Sequence, residues 1–300
     1  MSLYKRLARR IAAFGAVAMT ACAAAPATEA KVASPAMWKV ADQDTTIYLF
    51  GTIHLLPPGT KWRSPVFDKA VSGSDTLVVE TDIDESNPTA TVSELFKLAI
   101  SEGLPPLSDR VKPEKRAALA MAIAKSGVPA AAFDKMETWA AAFLLLGVQF
   151  RDLGLENGSG VETTLKKQFA AGGKSVGELE TNAEQLGFFD TLSEPSQRAF
   201  LDGVLDDSSA MRAQFGGMLD AWTQGDVAGI AKSFNSDIGD SPELMDALLS
   251  RRNANWARWV KGRLDKPGTV MVAVGAGHLA GDQSLVAMLE KQGVKVTRVQ

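Results

Sequence analysis

The feature that most constrains the fold is a set of short apolar runs, bounded by turn residues and separated by long stretches with a helical repeat. Several runs are apolar at nearly every position, which is typical of strands covered by helices on both faces. The runs occupy residues 46–51, 76–81, 175–181, 269–275 and 294–299. The pattern predicts an α/β fold with a central, mostly parallel sheet flanked by helices.

Two largely helical insertions, at about 85–155 and 182–265, separate the parts that carry the strands, and we expect them to form a helical cap. The segment 112–127 has the proline and glycine placement of a helix with defined ends. In the segment 136–152, an apolar stripe of Trp139, Phe143, Leu146 and Phe150 predicts a second helix. Residues 37–40 predict an antiparallel edge strand that leads into the first run. Together these elements predict one α/β domain over residues 36–300.

The first 22 residues have the composition of an export signal. Lys5, Arg6, Arg9 and Arg10 precede an apolar stretch, and small residues follow it. The apolar stretch is shorter than the roughly 20 residues that cross a bilayer. The segment "MTAC" looks like a bacterial lipoprotein cleavage site in which Cys22 carries the lipid, with Met19 in place of the usual leucine. Cleavage among the alanines after Cys22 would instead release a soluble protein.

Export would place the protein in the periplasm or anchor it by a lipid to the cell envelope. Residues 23–35 would then form a disordered linker ahead of the domain. Cys22 is the only cysteine, so the domain has no disulfide and no thiolate for catalysis. Removing four basic residues with the signal leaves 28 of the 32 Lys and Arg against 35 Asp and Glu. This acidic balance argues against a nucleic-acid partner. The sequence indicates contact with a membrane only through a lipid on Cys22, and it leaves the oligomeric state open.

Both histidines of the chain occupy the same kind of position. His54 and His278 each follow a glycine by three residues, directly behind a predicted strand, in "YLFGTIH" and "VAVGAGH". Ligands of open α/β sheets bind beyond the carboxyl ends of the strands, where side chains converge on one crevice. One such histidine is commonly a hydrogen-bonded structural group, but a pair that uses every histidine in the chain favours a functional site.

Glutamates stand at two further strand ends. Glu80 follows "LVV" and Glu180 follows "VGEL", so both are expected at the same edge of the sheet as the histidines. A buried carboxylate needs a metal ion or a cationic partner, whereas a helix-capping or solvated acid does not. Glu162, in "SGVE", has the capping-box form with Ser159 as N-cap, and this structural role competes with a catalytic one.

Arg252 is the remaining candidate. On a continuous helix through residues 242–260 it shares the apolar stripe with Leu248 and Trp256, while Arg251 falls to one side. A guanidinium on a buried face needs a carboxylate or an anionic ligand. The alternative is a stem covered by tryptophans with only the tip in water.

The sequence resembles the TraB/GumN family, which is related to the Tiki metalloproteases and more distantly to erythromycin-esterase-like hydrolases. The resemblance rests on "YLFGTIHLLPPG", "LVVETD", "SGVETTLKKQFAAGGKSVGELETNAEQL", "SRRNANW" and "VAVGAGHLAG". It implies an α/β fold with a cleft built from the two histidines, acidic residues and the arginine. Family members often have aspartate where this chain has Glu162.

These observations lead to a working hypothesis of a divalent-metal-dependent hydrolase that cleaves peptide or amide bonds in a peptide or small-molecule substrate. His54, His278 and Glu80 would hold the ion (manganese, cobalt or zinc) and leave a position open for water, as in His₂Glu catalytic sites. Glu180 or Glu162 would accept the proton of the water, and Arg252 would stabilise the oxyanion.

Two alternatives keep the same residues. In a metal-independent, esterase-like hydrolase, a histidine acts as general base on water with Glu80 orienting it. In a non-catalytic protein, the cleft binds a peptide, a haem-like ligand or a signalling molecule.

Overall fold

The computed structural model describes residues 33–82, 97–155, 160–206, 208–238 and 241–300. The predicted export signal, most of the predicted linker and Ser159 lie outside the described residues. The described residues belong to one compact unit that spans Val32–Gln300. Within them, no helix combines the length and the apolar character needed to cross a bilayer.

The described residues form a six-stranded, mostly parallel sheet in the order β4-β3-β5-β2-β1-β6, which confirms the predicted fold class. Strands β2 to β5 are parallel, whereas β1 runs antiparallel to both of its neighbours. The strands are β1 Met37–Ala41, β2 Thr45–Thr52, β3 Thr76–Val79, β4 Ser175–Glu178, β5 Gly268–Gly275 and β6 Val296–Arg298. The predicted apolar runs therefore correspond to strands, with ends that differ by up to three residues.

Helices cover both faces of the central strands, so alternate residues of one strand enter two different apolar cores. In β5, Met271 and Ala273 pack with Phe50 and Phe67 on one face. The alternate residues of the same strand pack with Trp256 and Val260 on the other face. Burial on both sides explains why these strands are apolar at nearly every position.

The sheet is flanked by helices, most of which lie in the two predicted insertions. The helices are α1 Pro65–Gly73, α2 Arg116–Ser126, α3 Ala130–Phe133, α4 Thr138–Asp152, α5 Val161–Ala171, α6 Asn182–Asp190, α7 Glu194–Val204, α8 Ser208–Thr223, α9 Val227–Ile238, α10 Pro242–Met245, α11 Arg251–Arg263 and α12 Leu285–Lys291. Helices α2, α4 and α7 of the insertions bury a core of their own, which includes Leu119, Leu145 and Leu201.

Two helical predictions need correction. The segment predicted as one helix over 242–260 is interrupted by a π-helical turn, Asp246–Ser250, directly before Arg251. The second predicted helix is present as α4 and Trp139 of its stripe is fully buried, but Phe143 of the stripe is 36% exposed, and the buried face includes Ala141 and Leu145 instead. The small side chains of α4 face inward because Leu201 and Val204 of α7 pack against them.

Candidate active site

The two Gly-x-x-His turns leave the sheet side by side. Strands β2 and β5 are parallel neighbours in which Thr52 pairs with Gly275, so both strands end at the same level. Strand β3 lies against β5, and β4 lies against β3. The segments that follow these four strands carry His54, His278, Glu80 and Glu180 to one edge of the sheet.

The two glycines of the turns have different physical roles. At Gly51 an added Cβ would lie 3.1 Å from Cα of Ala276, so glycine allows the backbone of the second turn to approach closely there. At Gly275 an added Cβ would lie 3.1 Å from Oε1 of Glu80, 3.5 Å from Nε2 of His54 and 3.7 Å from Cδ2 of His278. The absence of a side chain at Gly275 therefore leaves space between these three groups, which we call the cleft. Because both distances are measured from the same Cβ position, Nε2 of His54 and Cδ2 of His278 are at most about 7 Å apart.

Arg252 is buried and bridges the two strand-end glutamates. Its Nε donates to Oε1 of Glu180 at 2.8 Å, and its Nη2 donates to Oε2 of Glu80 at 2.5 Å and also to Glu180. Its Nη1 donates to the carbonyl oxygen of Leu248 at 3.3 Å and lies 3.1 Å from Nε2 of His278. These contacts use all five N–H groups of the guanidinium.

The charges of this bridge are compatible with burial. Burial raises the pKa of Glu80, but the charges of His278, Arg252 and His54 and the backbone N–H of Gly275 lower it to about 2. Because His278 is neutral near pH 7, Arg252 is the buried permanent cation that keeps Glu80 ionised. Burial raises the pKa of Glu180, and the hydrogen bonds from Arg252 act against that rise. Burial lowers the pKa of Arg252, whereas the two glutamates produce a net increase.

His278 is buried between Arg252, Asn253 and the ring of Trp256. Its Nδ1 lies 2.8 Å from Oδ1 of Asn253, and its ring centroid lies 4.4 Å from that of Trp256. Burial and the charge of Arg252 together lower its pKa to about 3, in spite of the opposing effect of Glu80. His278 is therefore a neutral imidazole at physiological pH.

His54 differs from His278 because its side chain is 66% exposed. Its Nδ1 lies 2.7 Å from Oε1 of Glu162, and Thr52 donates a hydrogen bond to the same oxygen. The charge of Glu162 raises the pKa of His54 above its usual value of 6.5. Burial raises the pKa of Glu162, but His54 and Thr52 produce a net decrease. The Nδ1 of His54 is thus paired with a carboxylate, and its Nε2 faces the cleft.

The capping role predicted for Glu162 is wrong. The N-cap of α5 is Gly160, which leaves Glu162 in the first turn with its carboxylate on His54 and Thr52. The helix start is held by a backbone contact instead, in which Val161 N–H donates to the carbonyl of Ile53 at 3.1 Å.

Besides Thr52, the structure adds three side chains to the site that the sequence did not single out. Asn253 contacts His278, and Gln185 donates to Glu80 at 3.2 Å and to Glu180 at 3.3 Å. The ring of Phe188 lies 5.7 Å from the guanidinium carbon of Arg252. Asn253 directly follows Arg252 in the quoted segment "SRRNANW", but sequence spacing gives no sign that Gln185 and Phe188 of α6 lie against this site.

The arrangement does not fit a divalent metal ion. Among the residues that the structure describes, no group of three or more His, Cys, Asp or Glu side chains is placed to hold one. The guanidinium of Arg252 lies 3.1 Å from Nε2 of His278 and 2.5 Å from Oε2 of Glu80, so an organic cation already contacts two of the three predicted ligands. The third, His54, has Nδ1 paired with Glu162 and Nε2 facing the cleft, so it is the one predicted ligand that no organic cation contacts.

The sheet topology and this cluster define a class of protein: an open α/β domain with a polar, partly buried cleft at the carboxyl edge of its parallel strands. The chain belongs to the TraB/PrgY/gumN family, whose sequence model matches residues 36–298. It is 28% identical over 249 residues to the uncharacterized protein YbaP of Escherichia coli (strain K12), which covers 81% of this chain and 87% of that protein. The protein of the same name from Shigella flexneri gives the same figures. No solved structure matches the chain.

Proposed function

We propose that the protein is a hydrolase in which His54, oriented by Glu162, acts as the general base that activates water. The observation that carries this proposal is the pairing of His54 Nδ1 with Glu162 at 2.7 Å, on a side chain that is 66% exposed. Its other nitrogen faces the cleft beside Glu80. A carboxylate on one imidazole nitrogen orients the ring and stabilises the imidazolium that forms when the other nitrogen takes a proton.

This proposal gives the other residues roles that differ from the working hypothesis. Glu162 orients the histidine, a role that the sequence had suggested for Glu80. Arg252 has all five N–H groups in use, so it holds Glu80 and Glu180 in place and has no donor left for an oxyanion. Glu80 accepts from the backbone N–H of Gly275 at 2.6 Å and offers a carboxylate oxygen to a water in the cleft.

The substrates that suit this chemistry are carbonyl compounds, and amides, peptides and esters are the classes to assay. A general base must be neutral to accept a proton, and Glu162 raises the pKa of His54 to about 9. We therefore expect kcat/KM to increase with pH from 7 towards 9. Replacing Glu162 by glutamine removes the charge that raises this pKa, so the rise should move to lower pH while the maximal rate falls by roughly 10²–10⁴-fold.

The experiment measures pH profiles of ester and peptide hydrolysis for wild type, His54→Gln and Glu162→Gln. Glu290→Gln, an exposed acid on α12, is the matched control and should equal wild type. Each profile is repeated after chelation, with the metal content of the protein measured in parallel. Activity that a chelator abolishes and manganese, cobalt or zinc restores would replace this proposal by the metal-dependent hydrolase. Equal, measurable rates in wild type and His54→Gln would exclude His54 as the general base, and the absence of hydrolysis in both would favour a binding protein.

We further propose that the protein is exported and acts in the periplasm or at the cell envelope. The support is the composition of residues 1–22, in which basic residues precede an apolar stretch and small residues, followed by Cys22, come after it. Cell fractionation of wild type and Cys22→Ala tests both parts of this proposal. A lipid anchor requires wild type in the membrane fraction and loss of that association in the variant, whereas cytoplasmic wild type would refute export.

A further inference from the structure

A chain of buried hydrogen bonds runs through His278 from one segment of the protein to another. Nη1 of Arg252 lies 3.1 Å from Nε2 of His278, and Nδ1 of His278 lies 2.8 Å from Oδ1 of Asn253. The amide nitrogen of Asn253 in turn donates to the backbone carbonyl of Gln283 at 2.8 Å. Asn253 is completely buried.

The direction of every bond in this chain follows from its two ends. Arginine only donates, so Nε2 of His278 must be the acceptor. A backbone carbonyl only accepts, so the amide nitrogen of Asn253 faces Gln283 and its oxygen faces His278. An amide oxygen accepts, which requires the proton of the neutral imidazole to be on Nδ1. A protonated His278 would instead place an N–H against the N–H of Arg252.

We propose that Asn253 is a positioning residue that fixes His278 as the Nδ1–H tautomer, so that Nε2 accepts from Arg252 and holds the guanidinium between Glu80 and Glu180. Arg252 and Asn253 are consecutive on α11 and contact the two nitrogens of one ring. Trp256, on the next turn of the helix, covers the face of that ring with centroids 4.4 Å apart. Three residues of one helix therefore contact the imidazole, two at its ring nitrogens and one at its face.

The two histidines of the chain therefore have different roles. His278 acts through Arg252 and gives its free lone pair to the guanidinium, whereas His54 presents a nitrogen to the cleft. The inference concerns the same cleft as the proposed hydrolase. Its main test is spectroscopic and does not require activity, so either proposal can fail without the other.

The test uses protein labelled with ¹⁵N only at histidine, in which the two rings give two separable sets of signals. The His278→Gln variant assigns them. In wild type, Nδ1 of His278 should give the signal of a protonated nitrogen and Nε2 that of an unprotonated one. A wild-type His278 that is protonated on Nε2 would overturn the proposal without any further variant.

Three variants then test the part played by Asn253. Asn253→Leu removes the acceptor and should mix or reverse the tautomers of His278, whereas Asn253→Asp keeps an acceptor and should preserve the Nδ1–H form. Asn255→Ala removes an exposed asparagine from the same helix and should leave the His278 signals unchanged. Asn253→Leu with wild-type His278 signals would refute the positioning role. If hydrolysis is found, Asn253→Leu should lower kcat by up to about 10²-fold, because a shift of the guanidinium would displace Glu80, with a smaller change in KM.

Discussion

Arg252 shows how a single side chain can be required by both stability and function. The guanidinium lies between two buried carboxylates, and each of them would be an uncompensated charge without it. A buried ion pair contributes little net stability when intact, but the removal of one partner leaves a charge that burial penalises strongly. The neighbouring Arg251 is half exposed and pairs with Asp246 on the surface.

We predict that Arg252→Leu lowers the free energy of unfolding by about 3–5 kcal/mol, because Glu80 and Glu180 lose their cation. Arg251→Leu should change it by no more than about 0.5 kcal/mol. Urea denaturation of the two variants at pH 7 gives the comparison. Equal, small effects would show that the guanidinium of Arg252 is not the buried counter-charge of the two glutamates.

Among the elements, helix α5 determines how His54 is held. Its N-terminus lies directly on the first Gly-x-x-His turn, where an added Cβ at Gly160 would be 2.0 Å from the carbonyl oxygen of His54. Glycine is therefore required at this position by the approach of another backbone. The same contact places Glu162, two residues further on, beside the imidazole.

We predict that Gly160→Ala displaces the start of α5, separates Glu162 from His54 and lowers the pKa of His54 towards 6.5. Gly147→Ala is the matched control because, apart from its own helix, no atom of the described residues lies within 4 Å of the added Cβ. This substitution inside α4 should stabilise the protein by about 0.5–1 kcal/mol. The ¹⁵N or proton shifts of the His54 ring, followed against pH, measure the change. A His54 pKa that is unaltered in Gly160→Ala would contradict this role for α5.

The strands and the identity of the strand-end residues could be predicted because they depend on local patterns. A continuous apolar run indicates a strand that is buried on both faces of the sheet, and parallel strands have their carboxyl ends at the same edge of the sheet. The place of Arg252 on an apolar stripe predicts a carboxylate or anionic partner, and Glu80 and Glu180 are its partners. The pairing of Glu162 with His54 and the contacts of Gln185 could not be predicted, because the packing of their helices is a tertiary property. The π-helical turn before Arg251 also has no sequence signature, although it ends the regular helical repeat used to place Arg252.

At the scale of the whole molecule, the two histidines should affect the free energy of unfolding in opposite directions as the pH changes. The pKa of His278 falls to about 3 on folding, so the unfolded chain binds a proton below about pH 6.5 that the folded protein does not. Its contribution to stability is therefore lost as the pH decreases from 6.5 towards 3. The pKa of His54 rises on folding, so its contribution is present below pH 6.5 and is lost as the pH increases towards 9.

We predict that the free energy of unfolding falls between pH 6.5 and 4.5, with His278 contributing up to about 1.4 kcal/mol per pH unit. Denaturant unfolding across this range should show a flatter dependence in His278→Asn and an unchanged slope in His54→Asn. Carboxylates also begin to titrate at the lower end of this window, and burial raises the pKa of Glu180, so the difference between wild type and His278→Asn measures the histidine contribution. Parallel curves for wild type and His278→Asn would mean that His278 does not resist protonation in the folded state.

The sheet order has a consequence for the way the protein is made. Strand β5 lies between β3 and β2, although it follows both of them by about 190 residues or more along the chain. A nascent chain that has not reached Gly268 holds two strands whose facing edges have no partner, and it lacks the second histidine turn. Translation thus delivers the centre of the sheet after the strands on either side of it, and the cleft cannot form until β5 has been inserted. A ribosome that stalls late, or a protease that trims the C-terminal end as far as Gly268, removes the cleft while leaving most of the polypeptide in place.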